Sequence, residues 1–122
     1  MNDELLLIYE NCLKSRYLDR RLHQLWKQVQ PRAIFSGYGA EFGPSVISVL
    51  LHKDDYLIPH YRGFASFLGK GVPVERIAGE LLCKKNGTAK GLGDASSFRD
   101  PSCRIPRNTI NIAAIFAMAV GL

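Results

Sequence analysis

The sequence predicts one packed unit that is mostly helical, with one short buried strand. The segment from Asp3 to Val29 repeats apolar side chains at three- and four-residue spacing, which is typical of an amphipathic helix. Tyr56, Leu57 and Ile58 form a brief apolar run before a proline, which is typical of a short strand. The chain has 122 residues and 47% hydrophobic content, which is enough for one core and gives no sign of two domains.

The predicted helices follow one another along the chain. The first runs from Asp3 to Val29, where Asn2 or Asp3 can cap its start and Pro31 ends it. A second runs from Pro44 to about Leu51 and is apolar almost all round, so the chain must either wrap this helix or share it with a neighbour. Further helices are predicted at 64–68, 74–84 and 109–122.

Charge and cysteine content limit the partners and the compartment. The net charge is +5, but the basic residues are scattered without a tail or stripe, which argues against a nucleic-acid partner. The apolar run at 5–8 is too short for a signal sequence and follows two acidic residues, so we expect neither export nor a membrane span. Three widely spaced cysteines indicate reduced thiols in the cytoplasm and no metal site.

Two stretches carry candidate functional residues. His60, Tyr61 and Arg62 combine a titratable ring, a phenol and a permanent cation directly before Gly63. They suit an anionic ligand with an aromatic or heterocyclic body, but a Tyr-Arg pair that only closes a loop is an equal alternative. The stretch 88–107 has no periodicity and contains four basic residues, which favours either an anionic ligand or an ordinary surface loop.

A series of short motifs runs through the chain in a fixed order. They are Arg20-Arg21, Gly39-Ala40-Glu41, Asp54-Asp55-Tyr56, His60-Tyr61-Arg62-Gly63, Gly69-Lys70-Gly71, Ala78-Gly79-Glu80-Leu81, Lys90-Gly91-Leu92-Gly93 and Ala119-Val120-Gly121. Their order and spacing resembles the N-terminal half of the alpha subunit of the thiamine-diphosphate-dependent decarboxylase component of 2-oxo-acid dehydrogenase complexes. This family includes the pyruvate, branched-chain and acetoin dehydrogenases. The Tyr-Arg-Gly element is the most specific part of the resemblance.

The resemblance implies an α/β fold, in which residues 1–122 form a single N-terminal part of a thiamine-diphosphate-binding domain that is mostly helical with a short parallel sheet. It implies that Tyr61 and Arg62 bind the diphosphate of the cofactor, with His60 as a nearby acid-base or positioning group. The substrate entrance would be bordered by the loop residues Lys90, Ser97 and Arg99. The implied activity is decarboxylation of a 2-oxo acid or related ketone, followed by acyl or aldehyde transfer.

The chain also departs from the family pattern. The Gly-Asp-Gly motif that holds magnesium on the diphosphate would lie beyond Leu122, the usual loop histidine is replaced by Ser97, and the usual Gly-Asn-Gly is Arg107-Asn108-Thr109. We therefore expect the chain to be inactive alone. It would need the remainder of the alpha chain or a complementary split subunit, together with a beta subunit. The alternative is a non-catalytic, degenerate module of the same fold that serves assembly or interaction.

Overall fold

The computed structural model describes residues 3–29 and 34–122 of the protein. Within these ranges the helices are α1 (Asp3–Val29), α2 (Phe42–Leu50), α3 (Phe64–Gly69), α4 (Val74–Leu81), a 3-10 turn (Pro101–Cys103) and α5 (Ala114–Val120). The sequence predicted each α-helix, but two are shorter than expected. Helix α4 stops at Leu81 because the backbone turns at Cys83 with a φ of 56°. The predicted cap at Asn2 and the stop at Pro31 lie outside the described residues.

The predicted parallel sheet is absent from the described residues, although the mostly helical character is confirmed. Tyr56, Leu57 and Ile58 form no strand. A strand needs a neighbouring strand to satisfy its backbone groups. Here the Leu57 amide donates one backbone hydrogen bond of 3.0 Å to the carbonyl of Arg104, and no ladder of such bonds follows in the described residues. The run is not buried either, since Tyr56 is 51% exposed. The prediction of a short buried strand is therefore wrong.

The core lies between the middle of α1, helices α3 and α4, and the segment that follows α4. Its largest fully buried apolar side chains are Leu22, Phe64, Phe67, Ile77, Leu81, Phe98 and Ile105. The rings of Phe67 and Phe98 stack with their centroids 4.1 Å apart. This stacking joins α3 to the segment after α4, so it places that segment against the helices.

Helix α2 is attached through its small polar side chains rather than its apolar ones. Asn11 of α1 donates to Ser45 Oγ at 2.9 Å and to the carbonyl of Ala65 at 2.8 Å, which ties α1 to α2 and α3. The largest apolar side chains of this helix are exposed, with Phe42 69%, Ile47 59% and Leu50 54% accessible. The described chain therefore does not wrap this helix. Among the described helices, none is long and apolar enough to cross a membrane.

Candidate functional site

The residues His60, Tyr61 and Arg62 lie together on a tight turn directly before α3. The Gly63 amide donates to the carbonyl of His60 at 2.8 Å, and the Arg62 amide donates to His60 Nδ1 at 3.3 Å. The ring centroids of His60 and Tyr61 are 3.8 Å apart. A Cβ atom at Gly63 would lie 2.6 Å from the carbonyl oxygen of His60, so the turn requires glycine at this position. The structure thus brings together the first group of predicted site residues.

The segment 35–37 supports this turn from the side. The rings of Phe35 and Tyr61 meet edge to face with centroids 4.8 Å apart. Arg62 Nη1 donates to the carbonyl of Ser36 at 2.9 Å, and the guanidinium carbon lies 5.4 Å from the Tyr61 ring centroid. A guanidinium has five N–H donors, so the bond to Ser36 fixes the group while leaving capacity for an anion.

A cleft of about 440 Å³ borders the turn. Its apolar lining includes Pro44 and Ile47 of α2 together with Leu57 and Ile58. His60 and Arg62 line the same cleft. Apolar walls with a few convergent polar groups are typical of small-molecule sites, and the guanidinium matches carboxylate or phosphate oxygens. The cleft can therefore hold an anion that carries an apolar ring.

Sequence reasoning assigned no role to the ion pair that lies beside this segment. Arg16 of α1 binds the buried carboxylate of Glu41 with two bonds, Nε to Oε1 at 3.0 Å and Nη2 to Oε2 at 2.9 Å. The Gly39 amide donates to both carboxylate oxygens at 3.1 Å. The pKa of Glu41 lies below its ordinary value, chiefly because Arg16 donates hydrogen bonds to the charged form. The pair fastens the start of α2 to α1.

Sequence reasoning also missed Asp19, a buried carboxylate on α1. Its side chain is buried, and Oδ2 accepts from Ser36 Oγ at 2.7 Å and from the Gly37 amide at 3.0 Å. The sequence does contain a signal for this contact. Asn11, Ser15 and Asp19 recur at four-residue spacing, and all three are buried on one face of the helix. A buried polar row of this kind indicates hydrogen bonds to a neighbouring segment.

The loop after α4 is organised around Glu80, which is fully buried. Its Oε2 accepts from the amides of Ala89 at 2.7 Å and Gly91 at 3.1 Å, and its Oε1 accepts from the Gly93 amide at 2.6 Å. The loop therefore follows a defined path around one carboxylate. Sequence reasoning quoted Glu80 as part of a motif but gave it no structural role.

The loop residues predicted to border a substrate entrance are exposed or half-buried. Lys90 has a φ of 57° and an exposed side chain, Arg99 is exposed, and Ser97 Oγ donates to Asp94 Oδ1 at 3.0 Å. Within the described ranges, no hydrogen bond, ion pair or ring contact joins these three residues to the turn at 60–62. The structure therefore does not bring the two predicted groups into contact.

The loop is nevertheless attached to the segment that precedes the turn. Arg104 Nη1 donates to Tyr56 Oη at 3.1 Å, and the carbonyl of Arg104 accepts from the Leu57 amide. Asp100 fixes this end of the loop, since its carboxylate lies 3.0 Å from Arg76 Nη1 of α4. In the part of the chain that the structure describes, no group of three or more His, Cys, Asp or Glu side chains could hold a metal ion.

Comparison with known proteins identifies the family. No protein-family model matches the chain. The pyruvate dehydrogenase E1 component subunit alpha of Porphyra purpurea is 30% identical over 91 residues, which is 74% of this chain and 26% of that subunit. The mitochondrial subunit of the same name from Dictyostelium discoideum is 32% identical over 92 residues, 75% of this chain and 24% of its own length. The chain is a partial relative of thiamine-diphosphate-dependent 2-oxo-acid dehydrogenase alpha subunits.

This relationship confirms the resemblance that the motif order indicated. The match covers about a quarter of the length of either E1 alpha subunit. We therefore give the activity, substrates and partners of a whole alpha subunit as proposals for this chain.

Proposed function

We propose that the chain is part of a thiamine-diphosphate-dependent dehydrogenase that decarboxylates a 2-oxo acid or related ketone, and that it contributes the diphosphate-binding Tyr61 and Arg62. The observation that carries this proposal is the position of the Arg62 guanidinium, held beside the Tyr61 ring at the edge of a cleft with apolar walls. A guanidinium binds phosphate oxygens through parallel hydrogen bonds. The names of both curated relatives support a role as an oxidoreductase subunit.

The residues of the cleft fit this cofactor at one end. Arg62 offers charge for the diphosphate, and Pro44, Ile47 and Leu57 offer apolar surface for a heterocyclic ring. When bound, thiamine diphosphate supplies the decarboxylation chemistry, while the chain binds and orients it. The cofactor is expected with magnesium. Because the Gly-Asp-Gly motif that holds this ion in the family is not among residues 1–122, we propose that its ligands lie on another region or polypeptide.

Four further residues have proposed roles at the substrate side. His60 Nδ1 accepts from the Arg62 amide, so in this arrangement the ring proton is carried by Nε2. We propose that His60 acts as an acid-base or positioning group there. Lys90 and Arg99 are exposed cations on the loop, which suits the attraction of an anionic 2-oxo acid toward an entrance. Ser97 would occupy the position where the family carries a histidine.

Other polypeptides would complete the cofactor site of this chain. We propose that the chain assembles with the remainder of an alpha chain, or a complementary split subunit, and with a beta subunit, which together would complete the thiamine-diphosphate-binding fold. The exposed Ile47 and Leu50, which lie one turn apart on α2, support such assembly, because contiguous exposed apolar side chains mark interaction surfaces. Alone, the chain is proposed to be inactive. We also propose that residues 1–122 form one domain and, from the free cysteines, that the compartment is the cytoplasm.

The proposal is tested by Arg62→Ala in the native assembly that contains this chain. Thiamine diphosphate binding is measured by titration calorimetry, with Arg21→Ala on the exposed surface of α1 as the matched arginine control. We expect Arg62→Ala to weaken binding by about 30-fold, since loss of a charged hydrogen bond costs about 2 kcal/mol. Equal dissociation constants for the two variants would reject the role of Arg62.

A second candidate function is a non-catalytic assembly module of the same fold. Two observations favour it: Ser97 stands where the family has a histidine, and the apolar side chains of α5 are exposed, with Phe116 71% and Val120 89% accessible. This candidate predicts that the native assembly contains partner polypeptides but takes up no thiamine diphosphate. The same calorimetric titration therefore separates the two candidates.

A further inference from the structure

We propose that Asp19 of α1 is the residue that positions Arg62 for its ligand. This inference rests on the proposed function, because it takes Arg62 as the group that binds the diphosphate. It adds a residue that precedes Arg62 by 43 positions in the sequence and that does not line the cleft. The connection runs through two neighbouring residues, Ser36 and Gly37.

Asp19 joins α1 to the segment 36–37. The carboxylate of Asp19 is only 3% exposed, and its Oδ2 accepts two hydrogen bonds, from Ser36 Oγ at 2.7 Å and from the Gly37 amide at 3.0 Å. Hydrogen bonds to an ionised acceptor are shorter and stronger than neutral ones, and their loss inside a protein is costly. Asp19 therefore fixes both the side chain and the backbone of this segment.

The same segment also contacts Arg62. The carbonyl of Ser36 accepts from Arg62 Nη1 at 2.9 Å. The backbone of Gly37 lies so close to Arg62 that a Cβ atom added to Gly37 would be 2.5 Å from the Arg62 carbonyl oxygen. One peptide segment thus hydrogen-bonds the guanidinium of Arg62 and packs against its main chain. A shift of this segment would move both.

His23 completes the arrangement on the opposite side of the carboxylate. Its Nδ1 lies 2.9 Å from Asp19 Oδ1 and 3.0 Å from the backbone carbonyl of Asp19. The histidine therefore contacts one carboxylate oxygen while the segment 36–37 occupies the other. The two hydrogen bonds from Ser36 and Gly37 keep Oδ2 directed at that segment, while the His23 ring packs beside Oδ1.

The side chain of Arg62 is exposed, so its ordering before a ligand binds affects the affinity. An exposed arginine side chain loses rotational freedom when it binds an anion, and prior ordering reduces that cost. Asp19 supplies this ordering from a distance. Its loss should therefore weaken diphosphate binding without abolishing it, whereas loss of Arg62 removes the contact itself.

The test compares Asp19→Ala, Asp19→Asn and Asn11→Ala in the native assembly, with thiamine diphosphate as the probe. We expect Asp19→Ala to raise the dissociation constant about tenfold, which corresponds to about 1.4 kcal/mol. Asp19→Asn should raise it less than about threefold, because an amide oxygen can accept both bonds. Asn11→Ala is the control, since Asn11 ties α1 to α2 and α3 but does not contact segment 36–37. It should lower the melting temperature and leave the dissociation constant unchanged.

A purely structural role for Asp19 predicts a different pattern. Asp19→Ala would then behave like Asn11→Ala, with a lower melting temperature and an unchanged dissociation constant, and the inference would be overturned. It would also be overturned if Asp19→Asn lost as much affinity as Asp19→Ala. If Asp19→Ala fails to fold, Ser36→Ala replaces it, because this change removes one bond to Asp19 and keeps the Ser36 carbonyl for Arg62. An affinity loss of about threefold is then expected, and none would overturn the inference.

Hydrogen exchange measured by mass spectrometry separates failure of this inference from failure of the proposed function. Asp19→Ala should speed exchange in peptides covering 34–40 and 59–64, and Asn11→Ala should leave both unchanged. If Arg62→Ala does not alter cofactor binding but Asp19→Ala still speeds exchange at 59–64, the cofactor role fails and the positioning of Arg62 stands. Unchanged exchange at 59–64 in Asp19→Ala overturns the positioning itself.

Discussion

Replacing Glu80 with glutamine should destabilise the protein by about 2 kcal/mol, although the two side chains have nearly the same size. The carboxylate is fully buried and accepts three backbone hydrogen bonds, two at Oε2 and one at Oε1. A glutamine amide has only one oxygen, so it can keep the bonds of Ala89 and Gly91 but presents an N–H donor to the Gly93 amide 2.6 Å away. Loss of one hydrogen bond to a charged group costs about 1.5–3 kcal/mol.

The assay is urea unfolding of the Glu80→Gln variant, together with hydrogen exchange of a peptide covering 86–94. Glu75→Gln on the same helix is the matched control, because Glu75 is exposed and the chemical change is identical. A surface change of this kind should stay within about 0.5 kcal/mol. We expect faster exchange at 86–94 in Glu80→Gln alone. Equal unfolding free energies for the two variants would refute the conclusion that this carboxylate organises the loop.

Two further predictions concern the supports of the candidate site. Gly37→Ala should lower both the melting temperature and the thiamine diphosphate affinity of the assembly, because the new Cβ would lie 2.5 Å from the Arg62 carbonyl oxygen. Gly121→Ala, whose new Cβ would meet its nearest neighbours at an ordinary contact distance of 3.7 Å and which does not line the cleft, should change neither. The pKa of Glu41 is lower in the folded state than its ordinary value of 4.5. The ion pair with Arg16 therefore contributes its full stabilisation at pH values above 4.5, and this contribution is lost as the pH falls through the lowered pKa. Urea unfolding should therefore show Glu41→Gln less stable than the unaltered protein near neutral pH, with a gap that closes in acid; a constant gap would contradict this.

The helices could be predicted because their signals are local. Helix α1 has the predicted bounds, since its periodic apolar positions continue from Asp3 to Val29. The run at 56–58 was wrongly predicted as a strand, because a strand forms only beside a neighbouring strand. The local apolar pattern does not show whether such a neighbour exists. The observed neighbour, Arg104, is far away in sequence and contributes one backbone hydrogen bond, which is too few for a strand pair.

The candidate site could be predicted only in part for the same reason. His60, Tyr61 and Arg62 are adjacent in sequence, so their clustering was visible. Their supports were not visible, because Ser36 meets both Asp19 and Arg62 only after the chain has folded back by many residues. Glu80 shows the same limit, since a carboxylate in a helix is ordinarily exposed, and its burial depends on the loop that wraps around it.

We propose, above all, that this chain belongs to an assembly that binds thiamine diphosphate. The most direct measurement is native mass spectrometry of the assembly purified without denaturation, before and after addition of thiamine diphosphate and magnesium. We predict that the chain co-purifies with further polypeptide that supplies the metal ligands, and that the mass of the assembly increases by one cofactor per site. Recovery of the chain in an assembly whose mass does not change on addition of the cofactor would contradict the claim.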